Sequence, residues 1–500
     1  MKSVMISTLV LAAIAPALAG KAENTVTWGF DSQLETMNPY ATNKGSAQLV
    51  MRNVLEHLLY RNSKGEARPA LATSWTWVDD KTIDFELRKG VTFSNGEAFN
   101  ADDVVYTMNF IKNPESKISA QADYGFIDKI EKTGEFSLRM HLTKPTPSAI
   151  DRLSQTLFIL PNETHAKMDA AEFGRAPVGT GPYKVQSFEA GQQVTMVRNE
   201  TYYDADWGKP RFDGMTVLSI TDPQTRIAEL TSGRVDFLWN VTPDQVLELQ
   251  LAEGIKTVTG SSTVVTFLSL DPTGRVGPNP AQDINVRKAM IHAIDREGIA
   301  AVLQGGDSVA LNSPCHPRQF GCIQDVQKYE YNVDKAKEYL AKSGFPNGFE
   351  TSIAAFVENA RIAEAVVGNL HDIGIRATVN QQETTAWVKD YFAGKISMGV
   401  VPWPSNGVYD VSAITPFFFQ EGKGDYIRDK EINDWFAEAA STIDKPKRLE
   451  LYTKGFSKMA DQVLNIPLVT RIVNYGYRDG LDYTPPADGY PLLYLMGWAK

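Results

Sequence analysis

Two cysteines, Cys315 and Cys322, flank a histidine in Pro314-Cys315-His316-Pro317-Arg318-Gln319-Phe320-Gly321-Cys322. Two thiolates and an imidazole could ligate zinc, and the same thiols could close a local disulfide. No fourth ligand lies nearby, and the thiols of an exported chain are open to oxidation. The disulfide is therefore the favoured reading, pinning a Pro/Gly loop. Pro177-Val178-Gly179-Thr180-Gly181-Pro182-Tyr183 invites comparison with a phosphate-binding loop. No Gly-Lys-Ser/Thr follows, and the second glycine runs into proline and a strand, so that reading fails. A tight crossing between lobes suits the glycines better. The nucleophile elbow G-x-S-x-G and the zinc motif H-E-x-x-H are both absent. Asp79-Asp80 and Asp102-Asp103 are adjacent acids with turn or helix-cap readings, not an acid/base pair. No catalytic residue, cofactor or metal is expected, and the chain is read as a non-enzyme.

The elements that must position any site alternate between strand and helix. Ile83, Phe85 and Leu87 alternate with Thr82, Asp84 and Glu86, the period of a half-buried strand. Ser94-Asn95-Gly96 is turn chemistry. Asn100 then stands where its side chain can cap a helix whose first turn holds Asp102 and Asp103. A helix is expected from about Ser46 to Tyr60, and a strand over Phe136–Leu142 with His141 on its solvated face. Leu230-Thr231-Ser232-Gly233 reads as a helix ending at a glycine, with a strand after it. His57 and His292 read as helix residues rather than ligands.

Lys2, the apolar run Val4–Ile14 and Ala17-Leu18-Ala19 have the three parts of a cleavable secretory leader. The apolar run is too short to span a bilayer. No cysteine follows it, so a soluble periplasmic protein rather than a lipoprotein is expected. About 480 remaining residues call for at least two domains. With 43% hydrophobic residues and no low-complexity run, the chain is globular rather than disordered. Its 50 basic and 60 acidic residues give −10. That balance disfavours nucleic acid and anionic membranes as partners.

One stretch, Arg88-Lys-Gly-Val-Thr-Phe-Ser-Asn-Gly-Glu-Ala-Phe-Asn-Ala-Asp-Asp-Val-Val-Tyr-Thr-Met108, closely resembles the signature of the family 5 extracellular solute-binding proteins. These are the periplasmic dipeptide-, oligopeptide- and nickel-binding components of ABC importers. Further matches follow in family order. They include Met37-Asn38-Pro39, Pro69–Trp75, Val178–Tyr183, Asn199–Tyr203, Leu230–Phe237, Val286–Arg296, Lys335–Gly344 and Asn369–Ile375.

The resemblance implies an α/β fold with two lobes, the type II, cluster C periplasmic-binding-protein fold. It implies discontinuous domains, an extra subdomain in the first lobe and a hinge between lobes. The corresponding division is a leader over 1–19, a lobe I core over 20–58, 175–260 and 471–500, an extra subdomain over 59–174, and lobe II over 261–470. The implied role is capture of a small solute between lobes and delivery to an inner-membrane ABC permease by a monomer. The expected ligand is a peptide or peptide-like compound. An oligosaccharide or opine-like ligand is the alternative, and a nickel-chelate or haem carrier the third reading.

Trp387 and Trp403 match aromatics of the family's cleft. Peptide binders of the family carry an amine-holding Asp three residues after the second tryptophan, where this chain has Asn406. Asn offers a neutral acceptor and two donors, so it cannot neutralise an ammonium. Asp410 could take over if the loop is shifted. Thr42 and Asn43, after the Asn-Pro motif, match a loop that contacts ligand.

Overall fold

The computed structural model describes residues 20–42, 45–119, 121–203 and 207–499. The expected leader and Asn43 lie outside the described residues. A ten-stranded sheet runs through both lobes. Its order is Arg376–Gln382, Glu350–Phe356, Met398–Trp403, Ile255–Leu270, Asn465–Arg478, Phe237–Val241, Thr25–Phe30, Gly214–Ser219, Gln193–Arg198 and Tyr183–Glu189.

Two long antiparallel strands join the lobes. Ile255–Ser261 pairs with Ile472–Arg478, and Val265–Ser269 pairs with Asn465–Thr470. The register shifts between Ser261 and Val265. Such an irregularity breaks the ladder and bends the strand, which makes this the natural hinge.

On the first-lobe side, Thr25–Phe30 runs parallel to Gly214–Ser219 and Phe237–Val241. On the second, Glu350–Phe356 runs parallel to Arg376–Gln382 and Met398–Trp403. Apolar layers cover the second-lobe sheet on both faces: Leu268, Val400 and Leu468 lie in one, and Phe267, Val401 and Tyr452 in the other. A separate four-stranded antiparallel sheet, Ala72–Asp79, Thr82–Leu87, Ser137–Leu142 and Ile127–Gly134, falls within 59–174.

Local chemistry explains several elements. Ile83, Phe85 and Leu87 are buried, as their alternation requires. Asn100 accepts from the Asp102 N–H at 2.7 Å, and the Asp103 carboxylate accepts from the Asn100 N–H at 2.9 Å. This reciprocal cap starts the helix Ala101–Lys112. Gly233 has φ +80, and the strand Phe237–Val241 follows. His141 bonds Glu131 at 2.9 Å rather than standing free in solvent.

The helix expected over Ser46–Tyr60 is shorter, Gly45–Met51. The Asn53 side chain donates back to the Leu49 and Val50 carbonyls and competes with further turns. The carbonyls of Asn53 and Val54 accept from Tyr183 and Gly181. A Cβ on Gly179 would stand 2.1 Å from the Val54 oxygen, and one on Gly181 2.6 Å from the Val54 carbonyl carbon. The Gly-Thr-Gly run is thus a close backbone approach inside the first lobe, not a crossing between lobes.

Candidate functional site

The carboxyl ends of the parallel strands from both lobes meet at the two crossing strands. Ligands of open α/β sheets bind outside such ends. A cavity of about 1240 Å³, open to solvent, is shared there by Asn240–Asp244 of the first lobe and by Val357–Ile362 of the second. Arg471, Ile472 and Asn474 of a crossing strand complete it. Arg361 pairs with Asp244 across it at 2.8 Å.

Trp403 ends the strand Met398–Trp403 and is partly buried. Its ring lies 4.7 Å from Phe417 and 5.0 Å from Phe418. Its indole N–H is buried without a partner among the described residues. A tight turn, Ser405–Gly407, follows, with Ser405 at φ +51 and Gly407 at φ +71. The Thr263 hydroxyl on a crossing strand donates to the Pro404 carbonyl at 2.9 Å and fixes the turn to the hinge. A non-glycine residue held at positive φ stores strain and persists where the surroundings impose it. The turn places the Asn406 backbone beside the first lobe: a Cβ on Gly407 would lie 3.6 Å from the Asp488 carboxylate. The side chain of Asn406 is outside what the structure describes.

Trp387 requires a correction. It lies in the helix Thr384–Phe392, is 3% exposed, and stacks on Tyr391 at 4.7 Å and 7°. Phe356 stands edge-on at 4.6 Å. This is a core tryptophan of the second lobe, without a face free for ligand.

Asp410 requires another. Both its oxygens accept from Arg448, at 2.9 and 2.7 Å, and one also accepts from the Ser412 N–H at 2.9 Å. The pair is buried on both sides. Asp410 is bound within its own lobe and does not offer a carboxylate to a ligand.

Thr42 lines a pocket of about 690 Å³ with Tyr40, Gln48, Arg52, Gln155 and Tyr490.

Cys315 and Cys322 are joined, with Cα atoms 5.6 Å apart. Their thiols are therefore not available as metal ligands. His316 is buried, and burial pushes its pKa down to about 4. The disulfide loop buttresses the segment after Asn406. Phe320 N–H donates to the Tyr409 carbonyl at 2.8 Å, Val411 N–H to the Phe320 carbonyl at 3.0 Å, and the Gln319 amide to the Val408 carbonyl at 2.8 Å. Arg318 at its tip reaches across to Ser261 Oγ at 2.5 Å and the Ala487 carbonyl at 3.3 Å. Replacing both cysteines by serine should lower stability by about 2–3 kcal/mol in the chain-entropy view. It should also weaken ligand binding by loosening 408–411. Urea unfolding and ligand titration of the double variant check the two effects separately.

Sequence reading missed the first-lobe face of this contact. Asp151 accepts from both Arg61 and the Tyr409 N–H, and Arg152 donates to the Ser412 carbonyl at 3.2 Å. Tyr409 and Ser412 stand 258 and 260 positions from their partners and Arg61 stands 90 from Asp151, and no local pattern marks them.

A smaller cavity, about 540 Å³, lies behind this contact and is lined by Arg52, Glu56, Arg61, Trp207 and Asp488. Burial raises the Glu56 carboxyl to about 7, although Tyr202 and Tyr203 each donate to it at 2.9 Å. The folded pKa stands above the ordinary 4.5, so the folded state holds this proton more tightly. Its contribution to stability is full below pH 4.5 and is lost as pH rises to about 7. The loss is about 3 kcal/mol. Glu56→Gln should remove that share, read as urea-unfolding free energy at pH 5 and pH 8. Asp103 and Asp236, both raised to about 6 by burial, keep a residual slope of the same sign.

The profile of the bacterial extracellular solute-binding proteins, family 5 middle region, matches residues 66–425. The chain belongs to this family. The glutathione-binding protein GsiB of Escherichia coli K12 is 24% identical over 484 residues, covering 93% of each chain. CtaP, an ABC transporter substrate-binding protein of Listeria monocytogenes, superposes with TM-score 0.85 at 20% identity, covering 95% of this chain and 99% of that one. DppA of Helicobacter pylori, solved with the peptide STSA, superposes with TM-score 0.79 at 22% identity, covering 95% and 98%. The two-lobed fold expected from the motifs is the observed one. The solute-binding role of the family makes the interlobe cleft the functional site. Among the described residues no helix is long and apolar enough to cross a membrane.

Proposed function

We propose that this chain, freed of its leader, captures a peptide or peptide-like compound in the periplasm between its lobes and delivers it to an ABC permease. The observation that supports this reading best is the meeting of both sets of strand ends at a two-strand hinge, with a cavity shared by both lobes. In this reading Trp403 supplies a rigid aromatic wall, the Asn406 turn supplies backbone groups, and Thr42 and Asn43 contribute further contacts, although Trp403 and Thr42 lie outside the lining of the shared cavity and Thr42 lines the separate pocket beside Arg52. Lobe II begins near the register shift at Ser261–Val265, and 59–174 forms the extra subdomain. Closure is driven by the ligand's higher affinity for the closed form. The bound compound leaves chemically unchanged.

The test is a thermal-shift screen of the mature protein, unfolded and refolded to strip carried ligand. Di- to hexapeptides, capped peptides, reduced glutathione, opines, oligosaccharides and nickel chelates make up the panel. A ligand at 100 times its Kd adds about 2.7 kcal/mol. A shift with peptides or glutathione supports the reading. A shift only with sugars or nickel chelates overturns it.

A further inference from the structure

The crossing strand Asn465–Arg478 is apolar where it leaves the second lobe: Ile466, Leu468 and Val469 are fully buried. Two residues later it places a guanidinium, Arg471, on the interlobe cavity. Among the described residues Arg471 makes one side-chain hydrogen bond, Nη1 to the Asn359 Oδ1, at a long 3.4 Å. Among the described residues no carboxylate pairs with it. Burial pushes its pKa down, and Glu358 opposes that only in part.

The other two arginines of the cavity are engaged. Arg361 faces Asp244 in a largely exposed and therefore weak pair, and Arg226 Nη1 donates to the Trp239 carbonyl at 3.1 Å. Asn359 joins a 3-10 turn, Val357–Asn359, to the twelve-residue helix Ala360–His371; the Ala360 N–H donates to the Val357 carbonyl, and no side chain of the described residues caps the helix. Arg471 is half-buried on an open cavity, so its guanidinium is only partly withdrawn from water, and a carboxylate closed in beside it would gain a charge-assisted pair. The positive end of an uncapped helix beside it adds attraction for an anion.

We propose that Arg471 is the anchor for a carboxylate on the ligand. This rests on the reading of the cleft as the solute site. A carboxylate fits better than a phosphate. One planar guanidinium matches a carboxylate in two parallel bonds. A second negative charge would face Asp244 and Glu358, which line the same cavity. The bland alternative is that Arg471 braces the hinge through Asn359. The two readings differ in what removal of the charge does to the empty protein.

The experiment uses the mature chain with Arg471→Met, Arg471→Gln and Arg471→Lys. First, ligand-stripped Arg471→Met should melt close to the wild-type temperature, because a half-buried guanidinium with no acid paired to it among the described residues contributes little to the empty fold. A marked fall in Tm restored by Arg471→Lys would assign Arg471 to bracing and overturn the proposal. Second, native mass spectrometry compares a tripeptide library carrying free C-terminal carboxylates with the same library as C-terminal amides. Wild type should hold the acids at least about tenfold better, the order expected for a charge-assisted pair. Arg471→Gln should hold both alike, and Arg471→Lys should keep part of the preference. Amides held as well as acids by wild type, or an unchanged preference in Arg471→Gln, would overturn it. If neither library binds, the peptide reading falls, and glutarate serves as the non-peptide probe. A glutarate thermal shift lost in Arg471→Gln then supports the anchor alone, and no shift with glutarate overturns it.

Discussion

Arg448→Met should lower the unfolding free energy by about 3–5 kcal/mol. Removing one partner of a buried ion pair leaves the other charged and unsolvated. Arg448, on the helix Lys445–Asp461, also donates from Nε to the Ala439 carbonyl at 2.9 Å and lies over the Phe320 ring at 4.5 Å. Its loss therefore undoes packing between that helix, the disulfide loop and the segment bearing Asp410. Adding Asp410→Asn to Arg448→Met should recover part of the loss by removing the stranded charge. Urea unfolding of the two variants and wild type closes the comparison. If Arg448→Met unfolds within about 1 kcal/mol of wild type, the ion pair is not structural. Asp410 would then return as a candidate for the ligand's amine.

The two tryptophans should separate. Trp403→Ala should weaken ligand binding by about 2 kcal/mol, roughly thirtyfold in Kd, the size expected for a buried aromatic anchor. Trp387→Ala should instead cost about 3–5 kcal/mol of stability, the range for emptying a core site of this volume. A ligand found in the thermal-shift screen, titrated against both variants, decides the matter. Equal affinity in Trp403→Ala and wild type would remove Trp403 from the site. A large affinity loss in Trp387→Ala with unchanged unfolding would restore Trp387 to it.

Much of the fold was legible because its signals are local. The Ile83-Phe85-Leu87 alternation, the Asn100 cap and the Gly233 helix end each depend on residues within a few positions of one another. The helix over 46–60 was overestimated for the opposite reason. Asn53 and Val54 are drawn to Gly181 and Tyr183, far along the chain, and local periodicity does not register such a competitor.

Site residues were named by motif, and packing sorted them. The motif named Trp403 and Asn406, and the structure puts the first at a strand end and the second in the turn after it. The motif could not distinguish Trp403 from Trp387, since both are tryptophans among apolar neighbours. Only packing against Phe356 and Tyr391 buries the second. Arg471 left a trace that could have been used, the one charge between Asn465 and Tyr477 in an otherwise uncharged strand.

The sequence by itself determined the family, the alternation of strand and helix and the two-lobed fold. Local spacing and an ordered series of motifs carry that information. The tertiary structure alone decided which charges are satisfied within the protein and which remain for a solute. Asp410 is held by Arg448, 38 positions away; Arg361 faces Asp244 in an exposed pair; Arg471 has no acid paired with it among the described residues. A charge is free or engaged according to what lies within a few ångströms of it, and chain order does not fix that distance.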